Sequence, residues 1–414
     1  MSDSPRIETA NRSQVMLRPY DLESLLPSDH RARAMWSLVE KLDLSTFYDE
    51  IAARGSVPGR SATDPKILLC LWLYGTSEGV GSARRLARLC VAHDAYRWIL
   101  GGVTTNHHTL SDFRVGHEKK LDALLTQLLA VLTKQKLVKL KRVSQDGMRV
   151  RANAGGASFR RGPTLEECLS SARAHLARVK READEPDSTA TAREKAARER
   201  AAREREERVA RALAELPKAQ AAKPAKDRQA ARVSTTDPEA RVMKMGDGGF
   251  RPAYNVQLAT DAESRFVVGV QVTNAGSDRG QMVPMLDEIE RRTGARPVEH
   301  LVDGGFSNHD AITEAAARGI TVYAPVGTPR KAGVDPHAPK PDDTPAVAAW
   351  RERMATDEAK VVYKDRAATA ETVNADLRIR TLDRLLVRGI DKVTCIALWG
   401  ALTYNLLHWI ALAT

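Results

Sequence analysis

Three acidic residues far apart in the chain, Asp146, Asp303 and Glu371, stand in local sequences that could bring carboxylates to one site. Asp303 follows the run His300–Val302 and precedes Gly304-Gly305. Glycines at that point let a backbone or a phosphate approach without a Cβ in the way. Because ligands of open sheets usually bind beyond the carboxyl ends of strands, a functional role for Asp303 is favoured over a simple turn.

Asp146 and Glu371 are each open to two interpretations. An Asp-Gly pair between alternating apolar runs is typical of a tight hairpin turn. Asp146 also shares parity with Met148 and Val150, so in a continuous strand it would lie on the apolar side, where a carboxylate needs a partner such as a metal ion. Glu371 and Arg378 lie two turns apart on one face of a predicted helix. They are either solvated surface charges or part of a metal-bound phosphate site.

A fourth acid, Asp278, is predicted to have a structural role. Gln281 follows it by three residues, which is the spacing of a box that caps the start of a helix.

Separated carboxylates in a basic chain predict a specific chemistry. The 414 residues include 64 Lys and Arg against 53 Asp and Glu, a net charge of +11 that favours a polyanion such as nucleic acid. Two divalent cations held by carboxylates can activate a water or a 3′-hydroxyl and stabilise the departing oxygen of a phosphodiester. Hard oxygen ligands favour Mg²⁺, with Mn²⁺ as its substitute, and the sequence offers no thiolate cluster for zinc.

The elements that must position these acids change type near residue 137. Before it, residues 21 to about 136 are predicted to be helical, with a leucine stripe from Leu121 to Leu132. After it, alternating runs predict strands, followed by helix, strand, helix and strand. The expected fold class is α+β with a mixed α/β sheet: an all-helical N-terminal domain (1–136) and a mixed-sheet domain (137–414).

Two insertions are predicted in the second domain. Residues 164–232 are rich in Arg, Glu and Ala and predict a charged helical hairpin or a partly disordered arm, interrupted at 185–188, unless the segment is only a solvated linker. Residues 326–360 are predicted to be a loop. The apolar segment 395–413 contains Asn405 and His408 and predicts a buried terminal helix. With no apolar leader, the protein is expected to be cytoplasmic and to have no membrane partner.

Four sequence blocks, in this order and at these separations, resemble the DDE-type transposases of bacterial insertion sequences. They are NHHTLSDFRVGH (106–117), STTDPEARVMK with GGFRPAYNVQLATD (234–261), HLVDGGFSN (300–308) and a C-terminal Tyr-Arg-Glu-Lys-type signature. The resemblance covers nearly the whole chain and implies an RNase H-like catalytic core that uses a divalent metal to cut transposon ends and join them to target DNA.

Residue by residue, the resemblance makes Asp146 the first catalytic and metal-binding acid, Asp303 the second and Glu371 the third. Tyr363 and Arg366 match the signature, and Arg378 stands where Lys is usual. Arginine keeps the charge but meets phosphate differently. The gap from Arg366 to Glu371 is one residue longer than in the strictest signature. The three carboxylates are expected to converge even without DNA, because sharing metal ions requires it.

The N-terminal helices resemble a helix-turn-helix-like module that would recognise terminal inverted repeats. Six residues there are candidate DNA contacts, with solvated or structural roles as the alternative: Arg84, Arg85, Arg88, His107, His108 and Arg114. The implied partners are double-stranded terminal and target DNA, and joining two ends implies at least a homodimer on DNA. A catalytically inactive DNA-binding relative and an RNase H-like nuclease without strand transfer remain alternatives.

Overall fold

The N-terminal part of the protein is helical. A computed structural model describes residues 13, 21–53, 61–184, 191–328 and 333–413. Before the first strand, these residues form the helices α1 (Arg31–Val39), α2 (Ser45–Asp49), α3 (Pro65–Ser77), α4 (Ala83–Ala92), α5 (Asp94–Leu100), α6 (His107–Val115) and α7 (Glu118–Lys134). Helix α3 begins as local rules predict, because the Asp64 side chain accepts a hydrogen bond from the Lys66 amide and Pro65 occupies the first turn.

The remainder of the chain alternates strands and helices. The strands are β1 (Arg142–Arg151), β2 (Phe159–Arg160), β3 (Val233–Ser234), β4 (Arg241–Lys244), β5 (Phe250–Asp261), β6 (Val267–Thr273), β7 (Glu299–Leu301) and β8 (Thr321–Tyr323). The helices are α8 (Gly162–Asp184), α9 (Ala192–Ala221), α10 (Met282–Thr293), α11 (His309–Ala317), α12 (Pro345–Ala355), α13 (Asp357–Arg366), α14 (Thr372–Leu377) and α15 (Ile390–Ala413).

Among the described residues, the main sheet has six strands in the order β4-β5-β1-β7-β8, with β6 also paired to β5. Strand β1 is antiparallel to β5 and parallel to β7, and β7 is parallel to β8. The sheet is therefore mixed, with an antiparallel half formed along β5 and a parallel half formed by β1, β7 and β8. The carboxyl ends of β1 and β7 lie at the same edge.

The helical region and the sheet share one hydrophobic core through α15. The leucine stripe of α7 is buried, and α15 packs against α3, α7 and β6. Trp399 of α15 donates its indole N–H to the Arg114 carbonyl oxygen at 2.9 Å. The Asn405 side chain bonds to both the N–H and the C=O of Val267 at 2.8 Å. These paired bonds satisfy an amide inside an apolar helix and fix the helix to the sheet.

Helix α15 also explains the apolar C-terminal segment. Within the described residues, Ile390–Leu412 is the one helix long and apolar enough to span a membrane, and 61% of its apolar stretch is buried inside the protein. Its contacts identify it as a core helix.

The two predicted insertions have different outcomes. Residues 164–232 contain α8 and α9, which pack against each other, so the helical form of that prediction matches the structure; the predicted break at 185–188 falls on residues outside the described ranges. The loop predicted over 326–360 is wrong for its second half, where α12 forms. Thr344 caps that helix by accepting from the Val347 amide, with Pro345 in the first turn.

Candidate active site

The register of β1 places Asp146 at the open edge of the sheet. Strand β1 continues through Asp146 and Gly147, which face Leu258 and Gln257 of β5, so the hairpin-turn interpretation is excluded. The last pair between β1 and β7 is Ser144–Leu301. Asp146 lies two residues beyond that pair, where β1 has lost its β7 neighbour.

Asp303 occupies the equivalent position on the other strand, two residues beyond Leu301. Its Oδ1 accepts the Gly305 amide at 2.7 Å and caps the short 3₁₀ turn Gly304–Phe306. Its Oδ2 faces Arg366. The turn role and the site role therefore use different oxygens of one carboxylate.

A cationic side chain lies between the two aspartates. Arg366, at the end of α13, places Nη2 3.0 Å from Asp146 Oδ1 and 3.7 Å from Asp303 Oδ2. Asn374 of α14 donates from Nδ2 to the other oxygen of Asp146 at 2.9 Å. Both oxygens of Asp146 thus have partners from the helical segment 357–382, one from the end of α13 and one from α14.

Burial sets the electrostatics of Asp146. Desolvation raises the pKa of its carboxyl above the usual value; the Arg366 guanidinium opposes this shift, and the Asp303 charge adds to it. Two carboxylates on neighbouring strands repel each other and favour a cation between them. Hard carboxylate oxygens arranged around one cation fit a divalent metal of the Mg²⁺ class.

Glu371 lies on the same helical segment but does not join these acids. It is exposed at the end of a π-helical turn, Ala367–Glu371, three residues before Asn374. The described residues contain no group of three or more His, Cys, Asp or Glu side chains that could hold a metal ion. The expectation that all three carboxylates converge without DNA is therefore wrong for this conformation, because the helical segment around the π turn leaves Glu371 exposed while its Arg366 and Asn374 contact Asp146.

Asp278 has a role that the sequence analysis missed. Its carboxylate does not cap α10; it is 6% exposed and accepts Asn255 Nδ2, Gln257 Nε2 and Arg149 Nη2, each at 2.7 Å. Asn255 and Gln257 share parity on an otherwise apolar strand, which was the signal for a buried polar partner. Gly147 is required beside it, since a Cβ there would overlap the Asp278 carboxylate.

The other signature residues lie near this site. Burial raises the pKa of the Tyr363 hydroxyl. The charge of Arg366 opposes this rise and the charges of Asp303 and Asp146 add to it, so the ring is close to all three. Arg378 is exposed and lines a groove that begins at Gly147.

The N-terminal candidates divide into exposed and buried residues. Arg84, Arg85 and Arg88 are exposed on α4, which packs against α6. His107 and His108 begin α6, with ring centroids 4.1 Å apart.

Arg114 is corrected to a core residue. It is 7% exposed, donates to the Gly81 carbonyl oxygen and lies 4.7 Å from the centroid of the Trp72 ring. Burial lowers its pKa to about 10. The tryptophans packed around α6 bury this side chain, so it cannot lie on a DNA-contacting surface.

Two family models match the chain. Residues 20–116 match the model described as Transposase domain (DUF772), and residues 224–406 match the one described as Transposase DDE domain. The chain is a DDE transposase. The transposase is accordingly a polynucleotidyl transferase with DNA transposition as its activity, and its family binds DNA and uses divalent metal ions.

No curated protein and no solved structure matches the transposase. The expected fold class is confirmed: a helical N-terminal region precedes a mixed sheet with helices, as in an RNase H-like DDE core. Asp303, Arg366 and Glu371 lie inside the DDE match, whereas Asp146 lies outside both matches. The assignment of Asp146 therefore rests on its position beside Asp303.

Proposed function

We propose that this transposase cuts at the ends of a bacterial insertion sequence and joins the freed 3′-hydroxyl to target DNA. Asp146, Asp303 and Glu371 act as the catalytic carboxylates and metal ligands, with Mg²⁺ as the ion and Mn²⁺ as its substitute. The observation that carries this proposal is the Arg366 guanidinium shared by Asp146 and Asp303, because a place that holds one cation between two carboxylates suits a divalent metal.

Each side chain has a distinct task in this proposal. Divalent metal ions would supply an activated oxygen nucleophile and charge stabilisation of the phosphodiester. Asp146 and Asp303 would hold the metal ions beside the reacting phosphate, from positions that the sheet fixes. Glu371 completes the ligand set when its helical segment shifts toward the strands. Arg366 and Arg378 hold DNA phosphates through planar, charge-assisted contacts, and Tyr363 packs against the DNA.

We assign DNA recognition to residues 1–136 and catalysis to residues 137–414. Arg84, Arg85, Arg88, His107 and His108 remain the proposed contacts to the terminal inverted repeats, since the first three are exposed arginines and the histidines stand at the start of the adjacent helix. Phosphate contacts of this kind give affinity rather than sequence reading. A homodimer or larger assembly on DNA is required to join two ends, and the working location is the cytoplasm.

A plasmid assay tests the function and the site together. Excision and integration are scored with DNA flanking the gene, comparing wild type, Asp303→Asn and Asp310→Asn at matched expression. Asp310 is the matched control because it is exposed and lies seven residues after Asp303, in the first turn of α11. We expect joined products from wild type and Asp310→Asn and none from Asp303→Asn.

Other outcomes separate the alternatives. Nicked but unjoined ends would identify a nuclease without strand transfer. Equal activity of wild type and Asp303→Asn would remove Asp303 from the site. Equal inactivity, with DNA binding retained, would identify a catalytically inactive relative.

A further inference from the structure

A groove lined by arginines adjoins Gly147, the residue that follows Asp146. It has a volume of about 400 Å³, begins at Gly147 beside Asp146, and lies between the β4–β5 turn and the helical segment that carries Arg378. Its charged lining consists of Arg149, Arg151, Arg251, Arg378, Asp247 and Asp383. Resting on the function proposed above, we propose that this groove, called here the arginine groove, binds the phosphodiester backbone of the DNA strand that continues from the reacting phosphate.

The charges of the arginine groove suit an anion that arrives from solution. Its two acids are held in exposed ion pairs, Arg251–Asp247 at 2.7 Å and Arg151–Asp383 at 3.0 Å. Exposed pairs of this type are weak, so a phosphate can take over either guanidinium. Among the described residues, none forms a hydrogen bond or ion pair with the Arg378 side chain. Arg151, Arg251 and Arg378 can therefore bind a phosphate without the loss of a buried contact.

The spacing of the cations favours a chain of phosphates over a single anion. Arg149 and Arg151 are two residues apart on β1, so their Cα atoms are separated by about 7 Å on one face of the strand. Arg251 belongs to the neighbouring strand β5, and Arg378 approaches from the helical side. The four arginines thus come from two strands and a helical segment, and their planar groups match phosphate oxygens.

Asp278 positions Arg149, the groove arginine closest in sequence to Asp146. Its buried carboxylate accepts Arg149 at 2.7 Å while Asn255 and Gln257 hold its other oxygen. A carboxylate with three donors has little freedom, so Arg149 is held in place beside Gly147. Arg149 still has 27% of its side chain exposed, which leaves the guanidinium accessible to a ligand. Asp278 is thus a positioning residue that acts through Arg149.

The test measures how DNA binding by the full-length transposase depends on salt. Fluorescence anisotropy is recorded with a labelled duplex carrying the DNA that flanks the gene, and with a duplex of equal length and unrelated sequence. Each arginine that loses a phosphate contact should reduce the slope of log K against log salt by about 1. Arg251→Gln, Arg378→Gln and Arg149→Gln are each expected to show that reduction. Arg149→Lys should retain the wild-type slope.

Arg296→Gln is the matched control. Arg296 also forms an exposed ion pair, with Glu290 at 2.9 Å, but it does not line the arginine groove, so its replacement should leave the slope unchanged. If the glutamine variants reduce the slope only with the flanking duplex, the groove binds the end of the element. If they reduce the slope with both duplexes, the groove binds DNA of any sequence. Wild-type slopes for all three glutamine variants on both duplexes would overturn the proposal.

The positioning role of Asp278 has its own readout. Asp278→Asn should reproduce the slope of Arg149→Gln, and the double variant should lose no more, because both changes act on one contact. A double variant whose slope falls by the sum of the two single losses would contradict the positioning role of Asp278. Asp303→Asn separates this proposal from the catalytic one: it should bind DNA with the wild-type slope yet yield no joined products. If Asp303→Asn transposes normally, the catalytic assignment fails. The salt slopes of the groove variants then still test whether the groove binds DNA.

Discussion

The place where β1 and β7 part and the helical segment 357–382 supply the proposed carboxylates in different ways. Asp146 and Asp303 each follow the pair Ser144–Leu301 by two residues, so backbone hydrogen bonds of the sheet fix their separation. Glu371 lies on a segment that includes two π-helical turns, Ala367–Glu371 and Arg378–Leu382, and its side chain is exposed. The sheet therefore prepares two acids in advance, and the third depends on where a helix lies.

Side chains link these two regions. Arg142 of β1 bonds to Glu299 of β7 at 2.6 Å and also pairs with Asp365 of α13. Arg366 and Asn374 then contact Asp146. Side-chain links can exchange partners when a phosphate or a metal ion arrives, whereas a backbone ladder cannot. This difference explains how binding of DNA could complete a site that the sheet has half assembled.

The largest expected effect is the loss of an acid that the sheet holds in place. Loss of partners that only support metal ligands costs about 10–100-fold in affinity or activity, so Asp146→Asn should reduce joined products by more than about 100-fold. The unfolding temperature should remain at or above that of wild type. Burial raises the pKa of Asp146, which means that the ionised carboxylate destabilises the native state above that pKa, and an uncharged isostere removes this cost.

Product assays and thermal unfolding at neutral pH measure both quantities for Asp146→Asn. A lower unfolding temperature together with lost activity would show that Asp146 serves the fold and would weaken its catalytic assignment. Retained activity would remove it from the site.

Replacing the cation between the aspartates should have opposite effects on metal binding and on activity. Charge-assisted hydrogen bonds contribute about 1.5–3 kcal/mol, so Arg366→Gln should strengthen Mn²⁺ binding without DNA by about tenfold or more. Transposition should fall by about 10–100-fold, since the variant loses a charge-assisted contact to phosphate. Calorimetric titration with Mn²⁺ checks the first result, with Lys364→Gln as the exposed control two residues earlier. Unchanged Mn²⁺ affinity would show that Arg366 does not occupy the metal position.

The last expected effect concerns acid stability of the strand region. His300 of β7 is fully buried, its Nε2 lies 3.0 Å from Gln145 Oε1, and burial lowers its pKa to about 3 from 6.5. Between these two values the imidazole is protonated in the unfolded chain and neutral in the native protein. The free energy of unfolding should therefore fall as the pH drops from 6.5 toward about 3. The contribution of one proton is about 1.4 kcal/mol per pH unit within that window.

Denaturant unfolding at several pH values measures this dependence. His300→Gln should flatten the dependence between those two pH values while keeping a polar partner for Gln145. An identical pH profile in the variant would show that other groups cause acid destabilisation of the strands.

Local sequence signals predicted the order of elements well, because those signals act within a few residues. Asp64 with Pro65 specifies the start of α3, and the leucine stripe specifies the buried face of α7. The continuation of β1 through Asp146 was left open because an Asp-Gly pair is compatible with both a turn and a strand. Pairing of Gly147 with Gln257, a contact distant in sequence, decides it.

Residues whose role depends on distant partners were not predictable from local patterns. Asp278 matched a helix-cap spacing, yet its side chain turns toward donors on β1 and β5. Arg114 looked like a surface cation until packing against Trp72 buried it. The displacement of Glu371 from the aspartates depends on the placement of the helical segment around its π turns. Tertiary packing, which no short pattern encodes, sets each of these outcomes.

The most direct test of the central claim is a crystal structure of the transposase bound to its flanking DNA and Mn²⁺, with the ion located by anomalous scattering. We predict a Mn²⁺ peak contacted by Asp146 and Asp303, with Glu371 moved into contact and Arg366 on a DNA phosphate. A Mn²⁺ ion bound away from Asp146 and Asp303, or Glu371 still pointing to solvent beside a fully bound DNA end, would contradict the account.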